Sequence, residues 1–121
     1  MKKVLLIEDN PDNREIVSTA LRKEGYHVTA APDGETALKK VKDIPDLILL
    51  DLSLPKMSGW EVVRLLKENE DYRHIPVIAL TAHAMVGDRE KALASGCNDY
   101  LAKPCLPRAI LEKTRKWIGS E

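Results

Sequence analysis

Apolar residues along this chain follow two alternating patterns. Val4 to Ile7, Leu47 to Leu50 and Val77 to Leu80 are apolar at every position. A half-exposed sheet alternates instead, so these runs read as strands covered on both faces. A weaker strand is expected at His27 to Ala31 and a short one near Tyr100 and Leu101. Between the strands, apolar positions recur at helical spacing. The first helix has Asn10 as its cap and Pro11 at its first position, carries Ile16, Val17, Ala20 and Leu21 on one face, and stops at Gly25. The second follows Pro32-Asp33-Gly34, bears Ala37, Leu38 and Val41, and ends before Pro45. The third starts at Ser58, with Glu61 placed to complete a capping box, and buries Val62, Val63 and Leu66, leaving Trp60 at its margin. The fourth spans Ala84 to Ser95 and is closed by Gly96. The last runs from Pro107 with Ile110, Leu111, Thr114, Trp117 and Ile118 inward. Five strands alternating with five helices predict an α/β fold, a doubly wound parallel sheet with helices on both faces, because crossovers are right-handed.

Length and composition narrow the class. At 121 residues the chain is expected to form one domain over residues 1–121. An apolar fraction of 44% and a charged fraction of 31% are ordinary for a globular protein, and 19 basic against 19 acidic residues leave no net field to attract nucleic acid. Cys97 and Cys105 form no CxxC pair, which suits a reducing compartment. The apolar runs are too short for a membrane span. Met1-Lys2-Lys3 leads into only four apolar residues before Glu8, which argues against a secretory signal; the expected location is the cytoplasm.

The polar ends of the strands carry the candidate chemistry. The first strand ends in Glu8-Asp9, the third in Asp51, the fourth in Thr81-Ala82 and the fifth in Lys103-Pro104. In a parallel sheet these ends converge on one edge, where doubly wound folds bind ligands. Crowded carboxylates repel one another until a proton or a divalent cation intervenes, and oxygen-only ligands favour Mg²⁺. Asp9, Asp51 and the backbone carbonyl of Ser53 would supply a sufficient partial ligand set. Asp51 is the candidate nucleophile toward a phosphoryl group, with Lys103 and Thr81 stabilising the phosphoryl oxygens and Ala82 small enough to leave its N–H open. Pro104 holds Lys103 extended.

Taken singly these residues are ordinary. A strand-end aspartate is usually a solvated acid, a lysine a surface charge and a threonine a helix cap; their joint spacing carries the inference. Tyr100 fits a core aromatic with its hydroxyl at the surface equally well. His83 reads as a helix-start residue, Cys97 as a small apolar one, and Lys39, Lys40 and Lys42 as a solvated helix face. His27, His74 and His83 lack ligand spacing for zinc.

Together, Glu8-Asp9, the stretch from Leu49 to Gly59 around Asp51, Thr81-Ala82, Tyr100 and Lys103-Pro104 resemble the response-regulator receiver domains of two-component signalling over essentially the whole chain. The resemblance implies a flavodoxin-like (βα)5 sheet of order 2-1-3-4-5. It implies that Asp51 takes phosphate from a histidine kinase or phosphotransfer protein, and that Thr81 and Tyr100 switch the surface of helix 4, strand 5 and helix 5 toward a target protein. Such a domain only phosphorylates and slowly dephosphorylates itself, and is otherwise no enzyme. Glu8 departs from the commoner aspartate, with metal contact through water as the expectation. Cys105 stands where the family often has a large aromatic, which puts the packing of the loop before the last helix in question. Gly119-Ser120-Glu121, directly after the last helix, leads us to expect protein binding as the output; a receiver excised from a hybrid kinase would read the same. A phosphohydrolase resembling the haloacid dehalogenases is the alternative, disfavoured because its second aspartate would fall at Ser53. A nucleotide-binding module lacks its glycine-rich loop.

Overall fold

The computed structural model describes residues 2–52, 54, 57–81, 88–103 and 106–119, the side chains of Asp88 and Arg89 excepted. Its elements alternate as β1 (Lys3–Ile7), α1 (Pro11–Lys23), β2 (His27–Ala31), α2 (Gly34–Lys40), β3 (Leu47–Asp51), α3 (Gly59–Glu68), β4 (Val77–Thr81), α4 (Asp88–Ala94), β5 (Asp99–Ala102) and α5 (Pro107–Ile118). All four strand pairings are parallel, in the order 2-1-3-4-5. Among the described residues no helix is long and apolar enough to cross a membrane.

The unbroken apolar runs have a direct physical reason. Successive strand side chains point to opposite faces, and each face is covered. Leu5, Ile7, Ile48, Leu50, Val77 and Ala79 pack with Ala37, Val62, Val63, Leu66 and Ala92 of α2, α3 and α4. Val4, Leu6, Leu47, Leu49, Ile78 and Leu80 pack instead with Val17, Leu21 and Ile110 of α1 and α5. Fully burying each large aliphatic contributes roughly 1.5–3 kcal/mol, so the two layers hold the sheet rigid and fix where its strands end.

Local details depart from the sequence pattern in four places. In α1 the buried residues are Val17, Ser18 and Leu21, and Ile16 is 53% exposed, so the helix turns a small serine inward in place of the isoleucine. Helix α2 ends at Lys40, and Val41–Asp43 continue as a 3-10 turn that keeps Val41 buried. Ile44 then takes a left-handed φ of 52° before Pro45, a strain of roughly 1 kcal/mol for a residue with a Cβ. Ser58 Oγ accepts from Glu61 N at 3.4 Å, but the Glu61 carboxylate pairs with Arg64 at 2.8 Å instead of reaching back over the helix end. The expected start of the fourth helix at Ala84 lies outside the described residues, and α4 is described from Asp88.

Close neighbours impose glycine at Gly59 and Gly96, among other positions. A Cβ on Gly59 would sit 2.5 Å from Leu52 Cα and 2.7 Å from Asp51 O, so only glycine lets α3 start against the end of β3. Gly96 has a φ of +112°, and a Cβ there would meet Lys67 Cγ at 2.7 Å. Lys67 cannot swing away, because its ammonium donates to the carbonyls of Arg73 and Ile75 and to Asn98 Oδ1 at 3.0–3.3 Å. We expect Gly59→Ala and Gly96→Ala each to lower the unfolding free energy by about 1–3 kcal/mol in urea titrations. An unchanged midpoint for Gly59→Ala would show that the β3–α3 approach is looser than described.

Candidate functional site

Register builds the site. Ile7 lies opposite Leu50, so Glu8 and Asp51 are the next positions on adjacent strands. Asp51 lies opposite Leu80, and Thr81 opposite Ala102, which puts Lys103 one step beyond β5. Backbone bonds carry the sheet past these ends: Glu8 N–H donates to Ala31 O at 3.0 Å, Leu52 N–H to Leu80 O at 2.9 Å and Lys103 N–H to Thr81 O at 2.7 Å. The acids and the lysine are therefore held by main chain.

Lys103 Nζ donates to Asp51 Oδ2 at 2.7 Å and lies 3.5 Å from Glu8 Oε1. Glu8, Asp9 and Asp51 each offer a carboxylate oxygen within 4.8 Å of the others'. Asp51 is 1% exposed and Glu8 is buried, whereas Asp9 faces solvent. Burial pushes the Glu8 carboxyl up to about 7, helped by its hydrogen bond to Asp51 and by the charges of Asp51 and Asp9, with Lys103 opposing. That bond needs a proton on one of the two carboxyls. The Lys103 ammonium, by contrast, is held above its usual range by Asp51 and Glu8, in spite of its own partial burial.

The donor set fits Mg²⁺. Among the described residues Glu8 Oε2 is buried with no hydrogen-bond partner, an arrangement that costs roughly 1–3 kcal/mol or more if nothing compensates it. One lysine among three clustered carboxylates leaves negative charge for a hard cation to neutralise. Thr81 closes β4 and is buried, and Tyr100, opposite Ala79 on β5, is half-buried against the α2–α4 layer. Ser53, Ala82, His83, Pro104 and Cys105 lie outside the described residues.

Three features had weak sequence signals. Arg14 donates to the carbonyls of Glu8 at 3.0 Å and Asp9 at 3.4 Å, bracing the acidic turn; an arginine in the first turn after an acid pair was its only trace. A cleft of about 220 Å³ opens beside the site between α1 and α5, reached by Glu8 and Lys103 and walled by Ile16, Val17, Pro107 and Ile110. The exposure of Ile16, read in sequence as part of a helical face, is the surface sign of this cleft. Asp99, at the start of β5, gathers several donors from α5 that sequence spacing did not connect. Cys97 is free and buried, with its thiol pushed up to about 11 by burial, which makes it inert at neutral pH.

Comparison with known proteins agrees with this arrangement. The family model for the response regulator receiver domain matches residues 4–115. The chain is 40% identical over 119 residues to the polar-differentiation response regulator DivK of Brucella ovis, covering 98% of this chain and 97% of that protein. It superimposes on the receiver domain of sensor histidine kinase PA1611 from Pseudomonas aeruginosa PAO1, solved with a magnesium ion in the active site cleft, with a TM-score of 0.88, 42% identity and 98% coverage of both chains. A co-crystal of the Saccharomyces cerevisiae histidine phosphotransfer signaling protein Ypd1 with the receiver domain of its downstream response regulator Ssk1 also matches, with a TM-score of 0.88 and 35% identity, covering 96% of this chain and 88% of the matched one. The phosphohydrolase alternative gains nothing from these matches. With its strand order, its carboxylate edge and a family match over most of its length, the chain belongs to the response regulator receiver domains of two-component signalling.

Proposed function

We propose that residues 1–121 act as a cytoplasmic phosphorylation switch in which Asp51 is the phosphoacceptor. The observation that carries this is the Lys103–Asp51 contact at 2.7 Å inside a cluster of three acids. A carboxylate oxygen of Asp51 attacks the phosphorus of a phosphohistidine. The new P–O bond makes an acyl phosphate as the P–N bond breaks, and the imidazole departs with the electron pair. Lys103 neutralises the growing charge on the phosphoryl oxygens, Thr81 donates a hydroxyl, and the Ala82 N–H adds a backbone donor. Asp9, Asp51 and the Ser53 carbonyl would hold Mg²⁺, with Glu8 reaching it through water, and the ion would supply positive charge to stabilise the phosphoryl oxygens.

The donor is a histidine kinase or a phosphotransfer protein. The apolar cleft between α1 and α5 gives such a partner a footing next to Asp51. After transfer, Thr81 is drawn toward the phosphoryl group and Tyr100 follows inward, altering the α4–β5–α5 face that a target protein reads. The shift is limited to the difference in phosphoryl contacts between the two states, a few kcal/mol at most.

Acetyl phosphate with Mg²⁺ should add one phosphate mass to the protein, and Asp51→Asn should remain unmodified; an adduct on that variant would place the acceptor elsewhere. Lys103→Ala should slow phosphorylation by about 10²-fold while the protein stays folded, read by intact-mass time courses.

The pH dependence of Glu8 has a definite sign. Its folded pKa of about 7 lies above the ordinary 4.5, so the fold binds the extra proton between those values. Stability of the metal-free protein should therefore fall as pH rises from about 4.5 to 7, by on the order of 1–3 kcal/mol, and Glu8→Gln should flatten that slope in chelated urea titrations.

A further inference from the structure

Asp99 opens β5 one residue before Tyr100, and its carboxylate collects an unusual set of donors. Oδ1 accepts from the Tyr100 backbone N–H at 2.8 Å and from Lys113 Nζ at 3.0 Å. Oδ2 accepts from Trp117 Nε1 at 2.8 Å and from Lys113 Nζ at 3.1 Å, with Lys116 Nζ 3.8 Å away. The side chain is 15% exposed. Bonds from an ammonium or an indole to an ionised carboxylate are about twice as strong as neutral ones, and a half-buried indole N–H must find an acceptor. Burial alone would raise the Asp99 carboxyl, yet Trp117, Lys113 and the Tyr100 N–H hold it below its usual range, so it remains charged.

The position of this carboxylate in the fold gives it a mechanical role. Along β5 the residues alternate between the two layers: Tyr100 packs with the α2–α4 layer, whereas Leu101 packs with the α1–α5 layer, as do Trp117 and Ile118. Asp99 is the point at which the backbone of the tyrosine is bonded to the far end of α5 across the sheet edge. Local backbone movement at Tyr100 must either carry Lys113 and Trp117 with it or break several charge-assisted bonds.

We propose that Asp99 is a positioning residue that ties Tyr100 to the Lys113–Trp117 end of α5, so that this stretch of helix reports the state of the Asp51 site. This rests on Asp51 being the phosphoacceptor and Tyr100 being part of the switch. A purely structural Asp99 would affect stability alone; a positioning one also sets how strongly α5 responds to phosphate. The exposed α5 residues Arg115 and Lys116 then form part of the surface whose presentation changes. Trp60, the other tryptophan, is held differently: it lies under the Lys91 ammonium, 4.8 Å from its ring centre, and packs with the α2–α4 layer.

The test uses the full chain labelled with 5-fluorotryptophan, with the two ¹⁹F lines assigned through Trp60→Phe. Acetyl phosphate and Mg²⁺ are added, and intact mass gives the phosphorylated fraction. On the phosphorylated protein the Trp117 line should move. In Asp99→Asn, and in the milder Lys113→Gln, the phosphate mass should still appear, but the Trp117 displacement at full phosphorylation should shrink by about fivefold or more, the scale of a typical coupling. Lys113 is a partly exposed side chain, so its variant keeps the test valid if Asp99→Asn fails to fold. A fully phosphorylated parent whose Trp117 line stays put overturns the inference and leaves the phosphoacceptor reading intact. So does an undiminished displacement in the variants. A parent that takes up no phosphate overturns both.

Discussion

The structure depends on one electrostatic conflict held in place by main chain. The parallel order 2-1-3-4-5 puts β1 beside β3, and their register brings Glu8 and Asp51 to the same level with Asp9 next in the chain. Three carboxylates within 4.8 Å of one another would separate if their backbones were free. They are not free, because the two aliphatic layers fix the strands and the ladder continues through Glu8 and Leu52. Lys103 offsets part of the repulsion, a proton on Glu8 offsets more, and the remainder favours a cation.

That unresolved charge is what makes the edge chemically useful. A site whose carboxylates were all paired would be more stable and would leave a divalent cation little charge to neutralise. Here the buried Glu8 oxygen, without a partner among the described residues, and the raised Glu8 carboxyl mark free energy that binding can recover. Gly59 contributes to the same end: it lets α3 begin against the Asp51 carbonyl and so keeps the start of that helix close to the acidic edge.

The sheet was legible because its evidence is periodic and doubly covered strands leave uninterrupted apolar runs. The strand-end acids and Lys103 were legible because topology converts distant sequence positions into neighbours. What escaped was set by tertiary contact. No local pattern says that Ser18 rather than Ile16 turns inward, since which side of α1 is covered is decided by the elements packed against it. The end of α2 is decided by Val41, which stays buried in a 3-10 turn after the helix stops. Glu61 has the spacing of a capping box but finds a stronger partner in Arg64 one turn on. Asp99 meets Trp117 18 residues later, only because β5 and α5 pack together.

The last of these has a consequence for how a fold this small transmits a signal. In the proposed switch, movement at Thr81 and Tyr100 would be worth only a few kcal/mol, and a soft protein would absorb it within its loops. Transmission needs a stiff connection from the edge strand to a helix that faces outward. The α5 helix is anchored at its inner face by Ile110 and Thr114, both buried, and at its far end by Tyr26, whose hydroxyl donates to Gly119 O at 2.7 Å, and by the Arg115–Glu24 pair at 2.8 Å. Between those anchors, the Asp99 carboxylate grips Lys113 and Trp117 directly. A helix anchored along its inner face and at its far end, and gripped by the strand carrying Tyr100, has little freedom to absorb a displacement, so in the proposed switch the strain would reach its exposed residues Arg115 and Lys116.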